Sequence, residues 1–103
     1  MTDPTRIPWT CETCGFPIAD GTGSVNIPFA EISAHRKGTR LPWRIQHDRC
    51  LPDTAVYGVD VDYIRDKAGI RRWTEHLMGK NWFADTNWGH VISTALHRES
   101  AGA

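Results

Sequence analysis

The sequence predicts an α+β domain, a metal-binding knuckle and a β-hairpin followed by a strand and two C-terminal helices. Three observations carry this. All three cysteines fall into short pairs, one of them shared with a histidine: Cys11-Glu-Thr-Cys14 and His47-Asp-Arg-Cys50. Apolar and polar residues alternate with a period of two around 25–29, 43–47 and 57–63. Further on, Ile70, Trp73 and Leu77, then Trp88, Ile92, Ala95 and Leu96, recur at helical spacing.

In chain order, residues 1–8 carry two prolines and read as an arm. Trp9 to Ala19 form the first half-site and its turn. Gly15, directly after Cys14, suits the left-handed backbone that turns N–H groups toward sulfur. Asp20-Gly21-Thr22-Gly23-Ser24 is a turn cluster. Val25, Ile27 and Phe29 read as a strand with an edge-type proline, Pro28, and Ile32 as its continuation. The charged stretch His35–Leu41 reads as a hairpin loop. Trp43–His47 is the return strand, which delivers His47 and Cys50 to the metal.

Leu51-Pro52-Asp53-Thr54 interrupts the pattern. Tyr57, Val59, Val61 and Tyr63 then alternate with Gly58, Asp60 and Asp62, predicting a strand with one wet acidic face. Met78 widens the stripe of the first C-terminal helix, and Gly79 stands where a C-terminal cap belongs. Asp85 or Thr86 is placed to cap the second helix. Gly89 inside that helix costs roughly 1 kcal/mol relative to alanine. Residues 99–103 read as frayed. The chain reads as one domain over 1–103, with 1–52 as the metal-binding knuckle and hairpin and 53–103 as a strand plus helical extension.

Two pairs, each with two intervening residues, present four soft ligands to one tetrahedral ion. Cys11, Cys14, His47 and Cys50 are therefore the expected ligands of one structural Zn(2+), since four protein ligands leave no position for water. Three thiolates on a divalent ion leave one excess negative charge, which Arg49, between the last two ligands, is placed to offset. Iron in the same site is the alternative metal. A redox dithiol at Cys11 and Cys14 calls for a neighbouring βαβ pattern, and here a hairpin follows instead.

The arrangement of knuckle, hairpin and second ligand pair resembles a treble clef. Its C-x2-C, 32-residue spacer and H-x2-C, with Trp43 in the return strand, are also similar to the PARP-type zinc finger. That resemblance covers the first half of the chain and implies a hairpin that reads DNA ends. Over its whole length, through Trp-Thr-Glu-His-Leu-Met at 73–78 followed by Trp82 and Trp88, the chain resembles small zinc-ribbon-like proteins of actinobacteria and their phages.

Composition narrows the function. Hydrophobic residues make up 40% and charged residues 23%, which is a folded rather than a disordered composition. No apolar run approaches the ~20 residues of a membrane span. The N-terminus lacks an apolar signal core, so the expected setting is the reducing cytoplasm. Twelve Lys and Arg balance twelve Asp and Glu, which argues against a generic polyanion binder. The balance is uneven, however. Residues 1–31 set Arg6 against Asp3, Glu12, Asp20 and Glu31, whereas residues 35–50 set Arg36, Lys37, Arg40, Arg44 and Arg49 against Asp48.

The leading expectation is therefore a non-enzymatic, zinc-stabilised module that binds a protein partner through the element-edge aromatics Trp9, Trp43 and Trp82. The alternative is a DNA- or RNA-binding finger using Arg36, Lys37, Arg40, Arg44 and Arg49. A lesser alternative is an HNH-like nuclease built from His35, His47, His90 and Asn87, but His47 is already needed by the metal. His76, His90 and His97 read as ordinary helical histidines, and Asp60, Asp62 and Asp66 lack the glycine and closing glutamate of a calcium loop. No phosphate-cradling glycine loop or nucleophile elbow is present.

Overall fold

The structure, a computed structural model, describes residues 6–101, and of residues 97–101 only the backbone. Most of the expected arm at 1–8, part of the expected fray at 99–103 and the His97 side chain lie outside the described residues. The architecture is α+β: a three-stranded antiparallel sheet of order β2-β1-β3 with helices packed against it.

Strand β1 (Gly23–Pro28) is buried along its whole length and lies in the centre. Pro28 had predicted an edge. It is tolerated here because β2 pairs with β1 only through Asn26, so the missing N–H removes no bond toward β2. Pro28 also ends the strand. The chain turns at once into α1 (Phe29–Ala34), with Glu31 in its first turn, where Ile32 had been expected to prolong the strand. Strand β2 (Arg44–His47) returns antiparallel, and a 3₁₀ turn over Asp48–Cys50 follows it.

Strand β3 (Val56–Asp60) pairs with the other side of β1. The alternation had predicted a strand as far as Tyr63. Instead a 3₁₀ turn (Val61–Ile64) begins after Asp60 and buries Val61 and Ile64. Side chains three apart in such a turn share a side, so the core is served without a strand. Tyr63 is left 69% exposed. Of the wet acidic face, Asp62 is used: its carboxylate accepts the Gly21 N–H at 2.9 and 3.0 Å.

Helix α2 (Lys67–Leu77) is capped by Asp66, whose carboxylate accepts the Gly69 N–H at 2.6 Å. Ile70 and Leu77 are buried, and Trp73 is half-buried. Two expectations at its end are corrected. Met78 lies past the last turn and is 67% exposed, and Gly79 does not take the left-handed conformation of a glycine cap. Helix α3 (Trp88–Ala101) starts one residue later than a Thr86 cap requires: Asn87 precedes it, its carbonyl accepting the Val91 N–H at 3.0 Å, and the Thr86 hydroxyl lies 3.4 Å from the Trp88 N–H. Asp85 instead accepts the Gly38 N–H at 3.0 Å and lies 3.1 Å from His35 Nε2.

Alternate residues of the sheet place Val25, Ile27, Ile45 and Val59 on one face, where Trp43 meets Trp88 at 5.2 Å between ring centroids. The indole N–H of Trp88 donates to Thr74 Oγ1 at 2.8 Å and ties α3 to α2. The Trp9 indole N–H donates to the Ile64 carbonyl at 2.9 Å, joining the knuckle to the C-terminal half. Among the described residues no helix is long and apolar enough to cross a membrane.

Candidate metal centre

The first half-site is a tight loop closed by backbone bonds. The Ile18 N–H donates to Trp9 O at 2.8 Å and the Cys11 N–H to Phe16 O at 3.0 Å. Gly15, at φ +80°, donates its N–H to Cys11 O at 2.8 Å. This is the left-handed position expected of it, and a side chain there would be strained. The loop turns both cysteine side chains to the same point.

The second half-site comes from the end of β2. A strand alone would send His47 and a residue three positions on in different directions. The 3₁₀ turn over Asp48–Cys50 brings them back together, because residues three apart align in that geometry. The Gln46 side chain donates to Thr13 Oγ1 at 2.9 Å and holds the two half-sites against each other.

The result is one cluster. One ligand atom from each of Cys11, Cys14, His47 and Cys50 lies within 4.8 Å of the other three, and no disulfide joins them. Cys14 Sγ and His47 Nδ1 are 3.2 Å apart. Tetrahedral bonds of about 2.3 Å to sulfur and about 2.0 Å to imidazole nitrogen place such atoms about 3.5 Å apart, so this pair has to open by a few tenths of an ångström to hold an ion between them. His47 Nε2 lies 3.1 Å from the Pro17 carbonyl. A proton on Nε2 is therefore satisfied by that carbonyl, which leaves the Nδ1 lone pair for the metal. The Pro17 carbonyl was not legible in the sequence, since a backbone acceptor carries no residue-type signal.

The electrostatics agree. Burial pushes the Cys11 thiol up, but N–H groups of Cys14, His47 and Thr13 outweigh it and bring it down to about 5. One of these, the His47 N–H, donates to Cys11 Sγ at 3.4 Å. Burial and the neighbouring Cys11 and Cys14 side chains push Cys50 up. One sulfur is thus ready to be a thiolate and another resists it. A cation at the centre removes the conflict and lets all three ionise.

The remaining expected residues divide. Arg36, Lys37 and Arg40 are exposed on the loop between α1 and β2, and Arg49 is exposed on the turn between the last two ligands. Arg44 is committed elsewhere: it pairs with Glu31 at 2.7 Å, and its charge opposes the rise that burial imposes on the Glu12 carboxyl. Trp9 and Trp43, expected as partner contacts, are only 2% and 3% exposed and are core residues. Trp9 is held against Ile64 of the C-terminal half, and Trp43 against Trp88 of α3. Trp82 is half-buried and lies against both Trp43 and Tyr57.

Of the candidate nuclease residues, Asn87 and His90 line one cleft with Cys11 and Glu12, and His47 belongs to the Cys/His cluster. Asn87 Oδ1 accepts the Trp43 N–H at 2.8 Å, and His35 is held between Asp85 and the Thr39 carbonyl. Among the described residues, Cys11, Cys14, His47 and Cys50 are the one grouping of metal-ligating side chains, so Asp60, Asp62 and Asp66 form none. No family model, curated protein or solved structure matches this chain.

Proposed function

We propose that this chain is a zinc-stabilised protein-interaction module with no catalytic role. A soft donor set of three sulfurs and one imidazole nitrogen favours zinc, and with four protein ligands the ion serves structure. In this reading the knuckle, hairpin and second ligand pair form a treble clef, and the thiolates persist in a reducing cytoplasm.

One observation carries the reading. Phe29, Tyr57 and Trp82 form a continuous aromatic ridge, with centroids 6.0 and 5.5 Å apart, and Lys80 Nζ lies 5.6 Å from the Tyr57 ring. Phe29 remains 46% exposed. A half-exposed run of aromatics on a molecule with no net charge suits a protein contact, where such side chains are enriched. The test is affinity capture from a host lysate with Phe29→Ala and Trp82→Ala beside the wild type. Both variants are expected to keep the fold by amide spectra and to retain the partner several-fold less. Unchanged capture by both folded variants overturns the reading.

A second reading has its own support. Lys37 and Trp82 line a cleft of about 420 Å³ beside the exposed loop arginines. A cation next to an aromatic ring suits single-stranded nucleic acid. Its signature is affinity that falls steeply with salt. No gel shift at low salt ends it.

A further inference from the structure

We propose that the groove between the outer edge of β3 and helix α2 takes an extended peptide as an added strand, with one acidic side chain directed to Arg72. This rests on the protein-interaction reading and names the site and the chemistry of the partner.

Strand β3 is the end of the sheet. Its orientation follows from one bond, Phe29 N–H to Ala55 O at 3.1 Å, which continues the register pairing Ile27 with Tyr57 and Val25 with Val59. Hydrogen-bonded pairs alternate with non-bonded ones in an antiparallel ladder. The N–H and C=O groups of Val56 and Gly58 therefore point away from β1. No other described residue donates to or accepts from them.

The other edge shows the contrast. There two outward groups of β2 are taken: Ile45 O accepts the Glu12 N–H at 2.9 Å, and the His47 N–H reaches Cys11 Sγ. An exposed strand edge is satisfied only by something with its own alternating donors and acceptors, which is an extended chain.

The edge is also set in a groove. A cleft of about 480 Å³ has Gly58 and Asp60 on its strand side and Gly69, Arg72, Trp73 and His76 on its helix side. Peptides that add to a sheet commonly lie between an edge strand and a neighbouring wall, and pockets for alternate side chains set the choice. Trp73 is an apolar wall, stacked between Tyr57 at 6.1 Å and His76 at 4.8 Å. Five residues of β3 at about 3.3 Å each match a segment of four or five residues.

Charge selects the ligand. Arg71 is paired with Glu75 at 3.4 Å, whereas Arg72 makes no ion pair among the described residues. A carboxylate is its natural complement. Asp60 across the groove repels a uniformly acidic segment, so the fitting sequence carries a single acid among uncharged, β-forming residues.

The test uses the full zinc-loaded chain and two libraries of capped nine-residue peptides, one with a fixed central glutamate and one with a fixed central lysine. Selected binders are mapped by amide chemical shifts. The expected result is binders from the glutamate library that shift the Val56 and Gly58 amides saturably. Arg72→Glu weakens them at least tenfold, and N-methylation of alternate peptide amides abolishes binding. No binders from the glutamate library, equal yield from the lysine library, or indifference to N-methylation overturns the proposal. So does self-association through β3, seen as concentration-dependent shifts at Val56 with a dimer in sedimentation. Binders or captured partners that map to Phe29 and Trp82 overturn the groove and leave the interaction reading standing. Loss of that reading is seen separately, as unchanged capture by Phe29→Ala and Trp82→Ala.

Discussion

The two outer strands of one small sheet finish their hydrogen-bond ladders in opposite ways. On the β2 side, the knuckle lies along the edge: Glu12 donates to Ile45, and Cys11 sulfur receives the His47 N–H. On the β3 side, no loop among the described residues bonds to the edge, and the strand is held by its pairing with β1 and by the aromatic side chains of α2 and the segment after it. One side is closed by a ligand cluster, the other supported by packing. The difference teaches that the four ligands do more than join two distant stretches of chain. They also seal an edge that a small sheet would otherwise present to solvent.

The largest expected effect breaks the sealed side. Metal binding in zinc-finger peptides is worth on the order of 10–16 kcal/mol, against typical domain stabilities of about 5–15 kcal/mol. Chelation of the purified protein is expected to abolish amide-exchange protection at Glu12, Gly15 and His47 and to unfold residues 6–52, with recovery when zinc is returned. Elemental analysis should find one ion per chain. If those amides stay protected in chelator, the backbone bonds alone close the β2 edge and the contrast fails.

A smaller effect sharpens the packed side. Leu77 is fully buried at the end of α2. Leu77→Ala should cost about 2–5 kcal/mol, the range for buried leucine truncations, read from urea unfolding at saturating zinc. Its signature is local: exchange quickens in α2 and β3 while the stoichiometry and affinity of the metal hold. A Leu77→Ala protein that loses its metal as readily as its helix would show the two sides to be one unit.

Much of this contrast was legible in the chain, and unevenly so. The ligand set could be read because cysteine is rare and its spacing is chemical: Cys11, Cys14, His47 and Cys50 fall in the two matched pairs that suit one tetrahedral ion. Strands β1 and β2 could be read from alternation because one face is apolar. Helix α1 could not, because six residues are under two turns and Phe29 and Ile32 fit either period. The end of β3 was misplaced for a related reason: Val59 and Val61 share a face in an extended chain, whereas Val61 and Ile64 share one in a tight turn, so Val61 fits either course. Trp9 and Trp43 looked like edge residues along the chain. They are buried by segments more than thirty residues away, and no local pattern carries that information. The open edge of β3 was equally hidden, since strand order is a tertiary fact.

The smallest effect concerns the pin between the two sides. Asp20, at the turn leading into β1, pairs with Arg6 and, at 3.0 Å, with Arg65 Nε. Arg65 also donates to the carbonyls of Ile7 and Ile18, so it touches the knuckle from the C-terminal half. Arg6 first, then Arg65, hold the Asp20 carboxyl below the ordinary carboxylate range. The sign follows from that direction. A carboxyl whose folded pKa lies below its unfolded value, about 3.9, adds stability that is fully present above the unfolded value. That stability is lost as pH falls through the folded value. Asp20 is exposed, so the effect is modest and screened by salt. Asp20→Asn should therefore lower stability slightly at neutral pH and not at all at the acid end, giving a flatter acid limb than the wild type. Acid also protonates the thiolates and releases the metal, but it does so in both proteins, so the difference between them isolates Asp20. Parallel acid limbs for wild type and Asp20→Asn would mean that the pin is held by the guanidinium bonds of Arg65 to the Ile7 and Ile18 carbonyls, and that the Asp20 carboxylate adds nothing to it.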